Sequence, residues 1–415
     1  MNQIRNKAAG SEEQIFRVEI TGYGAGGEGV ARLDNGKVVF IRGAARGDIL
    51  EARLTEDKSR VARADIVRVL TPSPHRVQPD CARFPRCGGC DFRHITYEEE
   101  LRAKLTRVND ALKRIGAVAA RGSEILSSGR INGYRNKAVV HSDGVARGFY
   151  ASGSHEVIPI DNCLLLPDEM NKALRDLATR DSDDVARDRG TGGDGDGSGA
   201  RNRSGGSRSA DIRYSVRGGS GGDITLRAGH SSPDDRPEVT LDGLRFGISG
   251  FFQVNNDAAL LLCQKAREYA AMSRNERLID LYCGVGLLTL FVGRDAGYAL
   301  GVESNPGSVH AARENASRNN LSHIDFIADS VEKWDYSGAR PDCVIVDPPR
   351  AGLSRSAALK ILKLFPERVV YISCDPATLA RDLRILDTYT VKEICVVDMF
   401  PRTANVEVCC LLRLA

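Results

Sequence analysis

The sequence predicts a doubly wound α/β domain over residues 246–415, preceded by a small OB-like β-barrel and a mixed α+β central region. Three observations carry this expectation. Strands and helices alternate after residue 246, short β-like runs parted by Gly-rich turns fill residues 15–70, and a Pro- and Cys-rich stretch follows them. The boundaries fall at 1–72, 73–245 and 246–415.

The barrel comes first. FRVEI, VARL, KVVFI, ILEARLTE and RVARADIVRVL read as strands, and Asp34-Asn35-Gly36 is a tight hairpin turn between two of them. Strands this short and this close suit a small closed sheet. The central region opens with TPSPHRVQPDCARFPRCGGC. Leu101, Leu105 and Leu112 then recur at helical spacing in YEEELRAKLTRVNDALKRIG. GYRNKAVVHSDGVARGFY and HEVIPIDNCLLL read as strands. Residues 181–210 hold eight glycines and no Leu, Ile or aromatic residue, so a flexible insertion is expected there. In the last domain RLIDLYC, GYALGVE, PDCVIVDPPR and RVVYISC read as strands, each followed by a helix. VKEICVVDM and NVEVCCLLRL read as two further strands. Ligands of such sheets bind beyond the carboxyl ends of the strands.

Composition narrows the class. Of 415 residues, 42% are apolar and 27% charged, as in globular proteins. No apolar run approaches the ~18–20 residues of a membrane helix. The opening MNQIRNKAAGSEEQ has no apolar core, so a cytoplasmic protein is expected. The net charge of +3 hides a basic excess in the first third, which suggests a polyanionic partner such as RNA. The eleven cysteines are unevenly placed and do not form a disulfide framework.

Four motifs carry chemistry. Asp280-Leu-Tyr-Cys-Gly284-Val-Gly286 closes a strand and opens a helix, where glycines let the backbone approach a ligand. Glu303 ends the next strand, placed to accept hydrogen bonds from ribose hydroxyls. The spacing is not GxGxxG, which favours S-adenosylmethionine over a dinucleotide. In Asp347-Pro348-Pro349-Arg350 two prolines hold an acid at a strand tip, and the Arg in fourth place disfavours methylation of an amine. Ser373-Cys374-Asp375-Pro376 puts a thiol before a helix N-terminus, where its pKa is expected below ~8.5 and the nucleophilic thiolate is favoured. Cys81-x5-Cys87-x2-Cys90 with Cys163 offers four thiolates, suited to zinc or [4Fe–4S]. The spacing is unusual for zinc, and a fourth cysteine argues for a closed cluster without radical chemistry.

Together these elements resemble the RNA uracil-C5 methyltransferases. The resemblance spans nearly the whole chain apart from 181–210. It rests on the barrel, the four-Cys set, GYRNK at 133–137, FFQVN at 251–255, DLYCGVG, VES, DPPR, SCDP and FPRTANVEV. It implies a Rossmann-like methyltransferase domain preceded by a TRAM barrel and a central iron–sulfur domain. Within the family, the barrel and the four cysteines look most like enzymes that make 5-methyluridine in 23S ribosomal RNA. tRNA is the alternative target, and a non-catalytic RNA-binding protein or a methyltransferase without a covalent intermediate are the other classes. The resemblance implies Cys374 as nucleophile toward uracil C6 and Glu407 as the base for the C5 proton. Gln253, Tyr282, Gly284, Gly286, Glu303 and Asp347 would bind S-adenosylmethionine or read the base, and Cys81, Cys87, Cys90 and Cys163 would hold a [4Fe–4S] cluster. A monomer is expected, with Arg135 and Lys137 of GYRNK as candidates for guiding RNA. Two positions depart from the family pattern: Asn405 stands where His is common, and Leu287 where a polar Asn is common.

Overall fold

The computed structural model describes residues 15–116, 118–143, 146–178, 212–216, 224–228, 230–231, 237–247 and 252–415. The 181–210 insertion and Phe251 lie outside the described residues. The chain divides into two compact units, one of residues 1–85, 90–103 and 402–404, the other of 86–89, 104–401 and 405–415.

The first unit is built on a six-stranded sheet of β1 (Ile15–Glu19), β2 (Gly22–Tyr23), β3 (Gly29–Arg32), β4 (Val38–Ile41), β5 (Ile49–Asp57) and β6 (Val61–Thr71), in the order β1-β5-β6-β4-β3-β2. The Asp34-Asn35-Gly36 turn joins β3 to β4 as expected, with Gly36 at φ 79°. The short β2 was not expected; two residues carry no periodicity to detect. Alternate residues such as Val18, Ile20, Leu50, Ala52, Ala62 and Ala64 fill a core belonging to this sheet alone. Asp48 is buried there, and it accepts from Ala45 N at 2.6 Å and Ser73 N at 2.9 Å besides its ion pair with Arg76. These bonds hold its carboxyl below the usual range against the opposing effect of burial.

Helix α1 (Tyr97–Ala111) follows, as the leucine spacing predicts, and ends in a π-turn over Leu112–Gly116. The second unit then adds β7 (Glu124–Leu126), β8 (Lys137–Ser142), β9 (Arg147–Tyr150), β10 (Val157–Pro159), α2 (Asp168–Ala178), β11 (Ile212–Val216) and β12 (Ile224–Ala228). Strands β8 to β12 form a five-stranded sheet, and β13 (His230–Ser231), β14 (Pro237–Leu241) and β15 (Leu244–Gly247) form a three-stranded one.

The α/β part comprises α3 (Asn256–Ala270), β16 (Arg277–Leu281), α4 (Leu287–Gly293), β17 (Tyr298–Glu303), α5 (Pro306–Arg318), β18 (Ile324–Ala328), β19 (Cys343–Val346), α6 (Arg355–Leu364), β20 (Arg368–Ser373), α7 (Pro376–Leu383), β21 (Tyr389–Val397) and β22 (Glu407–Leu414). Its eight strands run β18-β17-β16-β19-β20-β22-β21-β7. Side chains alternate between two cores: Leu278, Ile345, Val370 and Ile372 face one, while Ile279, Val344, Val369 and Tyr371 face the other. The same period separates Cys409 from Cys410. Three elements of this sheet and its helices escaped the sequence reading, as did α2 and β11 to β15 before them. β18 is a short run interrupted by Asp325, α3 stands apart from the strand–helix rhythm, and β7 joins the sheet from far upstream by pairing parallel to β21.

Candidate active site

Strands β16, β17, β19 and β20 run parallel, so their carboxyl ends meet along one edge of the sheet. That edge carries Asp280 to Gly286, Glu303, Asp347 and Cys374. β22 runs antiparallel to β20, with Ser373 opposite Val408. Its first residue, Glu407, therefore starts at the edge where β20 ends, and the register sets it against Cys374. Antiparallel closure of the sheet is what brings together two residues 33 positions apart in the chain.

The turn after β16 is shaped for a ligand. Gly284 and Gly286 have φ of 54° and 84°, values that suit glycine. A Cβ at Gly284 would meet nothing within 4 Å, so its backbone faces open space. A Cβ at Gly286 would stand 2.9 Å from Leu290 and 3.0 Å from Phe326, so tight packing of α4 also demands this glycine. Glu303 accepts from Gly284 N at 3.2 Å and from Asn305 N at 2.7 Å, which ties the carboxylate to the turn. Tyr282, at φ 65°, donates its hydroxyl to Glu332 at 3.1 Å. Gln253 lies in the segment before α3, where Asn136 donates its side-chain amide to the Gln253 carbonyl at 2.8 Å.

The electrostatics correct one expectation. Cys374 does not have a depressed pKa: burial pushes the thiol up to about 11, and the negative charges of Glu407 and Asp347 add to it. Arg350 opposes them. The helix dipole does not rescue the thiolate, because Asp375 caps α7, accepting from Ala377 N at 2.8 Å and Thr378 N at 3.1 Å. Its carboxylate meets the positive helix end. Burial also drives the carboxyl of Glu407 well above the usual range, with Asp347 adding, and raises Asp347 itself. Two neighbouring carboxyls in a largely buried site cannot both ionise readily.

Sequence reasoning assigned no role to Asp280 or Arg107, and it marked Asn405 without giving it a partner. Asp280, pushed up to about 7 by burial, accepts from Thr289 Oγ1 at 2.5 Å through one oxygen, while Oδ1 is buried without a partner. Its signal was an acid inside an otherwise apolar strand. Arg107 of α1 is half-buried and feels both Asp375 and Arg350. Nothing local in the sequence marks it. Asn405 accepts from Arg350 Nη2 at 2.8 Å, so the departure from the family pattern pairs with the Arg of DPPR.

Of the eleven cysteines, Cys81, Cys87, Cys90, Cys163 and Cys374 are partly exposed and the other six are buried. Cys81 and Cys90 belong to the first unit, Cys87 and Cys163 to the second. Arg93 donates to Cys90 Sγ at 3.3 Å, and Cys87 and Cys163 border the small core formed by Val140, Ile158 and Met170. Among the described residues no group of three or more His, Cys, Asp or Glu side chains is arranged to hold a metal ion. The [4Fe–4S] cage expected from Cys81, Cys87, Cys90 and Cys163 is therefore not among the features observed.

Known proteins resemble this chain over most of its length. An uncharacterized RNA methyltransferase of Halalkalibacterium halodurans is 31% identical over 99% of this chain and 99% of its own. One from Gloeobacter violaceus is 33% identical over 95% of each. A family model for tRNA (uracil-5-)-methyltransferase matches residues 244–414, and a TRAM domain model matches 12–67. The chain belongs to the RNA (uracil-5-)-methyltransferase family. This uracil-5 methyltransferase carries an N-terminal TRAM domain and depends on S-adenosylmethionine, as the family does. Its fold is that of the Pyrococcus abyssi tRNA (uracil-54, C5)-methyltransferase, a structure solved with S-adenosyl-L-homocysteine, with a TM-score of 0.71 and 23% identity over 97% of this chain and 100% of that one. Among the described residues of the methyltransferase, no helix is long and apolar enough to cross a membrane.

Proposed function

We propose that this protein methylates C5 of a specific uridine in 23S ribosomal RNA through a covalent bond between Cys374 and uracil C6. The strand register that sets Cys374 against Glu407 supports this reading best. Thiolate attack at C6 turns an unreactive C5 into an enolate carbon. S-adenosylmethionine supplies the methyl group that C5 accepts. Glu407 then takes the C5 proton, the Cys374–C6 bond breaks, and the thiolate is regenerated; the proton on Glu407 passes to solvent. A carboxylate whose pKa is raised by burial is the stronger base for that step. Because the thiol is also raised, Arg350 has a role: its positive charge favours the thiolate and the developing enolate.

The cradle fits S-adenosylmethionine. Glu303 suits the ribose hydroxyls, the open backbone at Gly284 admits close approach, and the unpartnered Asp280 Oδ1 lacks a donor that an ammonium group would supply. Gln253, Tyr282, Gly286 and Asp347 complete the proposed binding set. The target uridine must leave its stack to be attacked above the ring, so a single-stranded or flipped nucleotide is implied. We further propose that Cys81, Cys87, Cys90 and Cys163 hold a structural [4Fe–4S] cluster. Its support is chemical: these are the partly exposed thiols besides the nucleophile. The proposal also takes the protein as a cytoplasmic monomer of three domains, 1–72, 73–245 and 246–415.

tRNA is the second reading, favoured by the family model's description and by the name of the P. abyssi enzyme. Mapping 5-methyluridine in 23S rRNA and tRNA from a strain lacking the gene decides it. Loss from 23S rRNA alone supports the proposal, and loss from tRNA alone overturns it. Glu407→Gln is expected to attack and methylate but not release, leaving a stable protein–RNA adduct on denaturing gels.

A further inference from the structure

Between β21 and β22 runs the loop that leads into Glu407. Its first carbonyls are held in an unusual way. Asn255 Nδ2 donates to Met399 O at 3.2 Å, Lys104 Nζ to Phe400 O at 3.1 Å, and Tyr134 Oη to Pro401 O at 2.9 Å. Three consecutive carbonyl oxygens thus each receive a side chain from a different part of the chain. The donors are 0%, 1% and 4% exposed. Lys104 also pairs with the buried Asp398 at 2.6 Å. The reaction needs none of these groups for its chemistry.

The donors are themselves fixed. Asn255 caps α3, its Oδ1 accepting from Ala258 N at 3.1 Å, which turns its amide nitrogen toward the loop. Next to Tyr134, Asn136 donates to Gln253 O at 2.8 Å and to Asn256 Oδ1 at 2.7 Å. GYRNK and FFQVN are therefore tied to each other and to FPRTANVEV. Cys374 has a separate anchorage, on β20 and the capped start of α7. Loosening the loop would displace Glu407 more than Cys374.

We propose that Lys104, Tyr134 and Asn255 are positioning residues that fix the 398–401 loop and, through it, aim Glu407 at the C5 proton. This rests on the reading of Glu407 as the base. The consequence is confined to one step: attack and methyl transfer proceed, while proton removal and release slow. A structural role would slow every step alike or only lower the melting temperature.

The test uses the full chain, RNA from a strain lacking the enzyme, and a 5-fluorouridine transcript. Fluorine at C5 blocks proton removal, so adduct formation on that transcript reports the steps before release. Tyr134→Phe removes one hydroxyl, and Asn255→Ser keeps a helix cap but is too short for Met399 O. Each is expected to form the fluorinated adduct within about twofold of the wild-type rate, and to release methylated natural RNA roughly five- to tenfold more slowly, the scale of one lost neutral hydrogen bond. Wild-type release by Tyr134→Phe overturns the proposal, as does an equal slowing of adduct formation and release. If Asn255→Ser fails to fold, Tyr134→Phe decides alone. Glu407→Gln run alongside separates the two claims: if it traps methylated adduct while Tyr134→Phe behaves as wild type, the base stands and the positioning role falls. If Glu407→Gln traps none, the base reading fails, and the positioning proposal fails with it.

Discussion

Cys374 shows how one residue's chemistry is set by its surroundings. Strand tip and helix start suggest an acidic thiol, yet two carboxyls and burial win, because Asp375 has already occupied the helix N-terminus. The free enzyme should therefore be slow to alkylate at neutral pH. A thiol whose pKa is raised exposes its thiolate only as pH rises, so the rate with iodoacetamide should climb through pH 9 and 10 toward about 11. Mass spectrometry at Cys374 against pH would read this; a plateau near the ordinary thiol value of ~8.5 would contradict it. Cys374→Ala should cut methylation about a thousandfold or more. S-adenosylmethionine affinity should persist in calorimetry, since the thiol addresses the RNA.

Elements explain the glycines. Gly286 starts α4 at φ 84° with neighbours closer than a Cβ tolerates, whereas Gly284 at φ 54° faces open space. Gly286→Ala should lose about 1–3 kcal/mol of stability from strain and crowding. Gly284→Ala should lose about 1 kcal/mol, yet it should weaken S-adenosylmethionine binding, since its new methyl enters the space left for a ligand. Thermal melting and calorimetric titration of both variants would separate the two roles. Equal melting losses with unchanged cofactor affinity would count against the cradle. The caps follow the same logic: Asn255, Asn305, Ser354 and Asp375 each start a helix by accepting from backbone N–H groups, and two of them precede a proline at the first helical position.

For the whole molecule the expectations concern RNA and iron. The first unit displays Arg17, Arg32 and Arg60 on its surface. Replacing them by Glu should weaken RNA binding and lower the slope of log affinity against log salt by roughly 0.7 per lost phosphate contact on single strands. Cofactor binding should stay unchanged, as its proposed residues all follow position 250. Filter binding at several salt concentrations would show this, and an unchanged slope would leave the TRAM domain out of RNA binding. Protein purified without oxygen should be brown, with iron that falls when Cys87 is replaced by Ser. Stoichiometric zinc without iron would refute the cluster.

Much of this was legible in the chain. Continuous apolar runs and helical spacing marked most strands and helices of the α/β part, because burying those faces is the dominant favourable term in folding. Glycines, prolines and Asp-Asn-Gly determined the turns, since few residues suit positive φ or a fixed one. The motifs placed Cys374, Asp347 and Glu303 at strand ends. Tertiary structure decided the rest. Two-residue β2, edge strand β18 and distant β7 form only when a neighbour supplies their partners. The meeting of Cys374 with Glu407 depends on one antiparallel register. The raised thiol depends on carboxyls and burial that no local pattern encodes, and Tyr134, Asn255 and Lys104 converge on one loop from three separate segments. Electrostatic shifts and buried hydrogen bonds depend on distance in space, and the chain records only distance along itself.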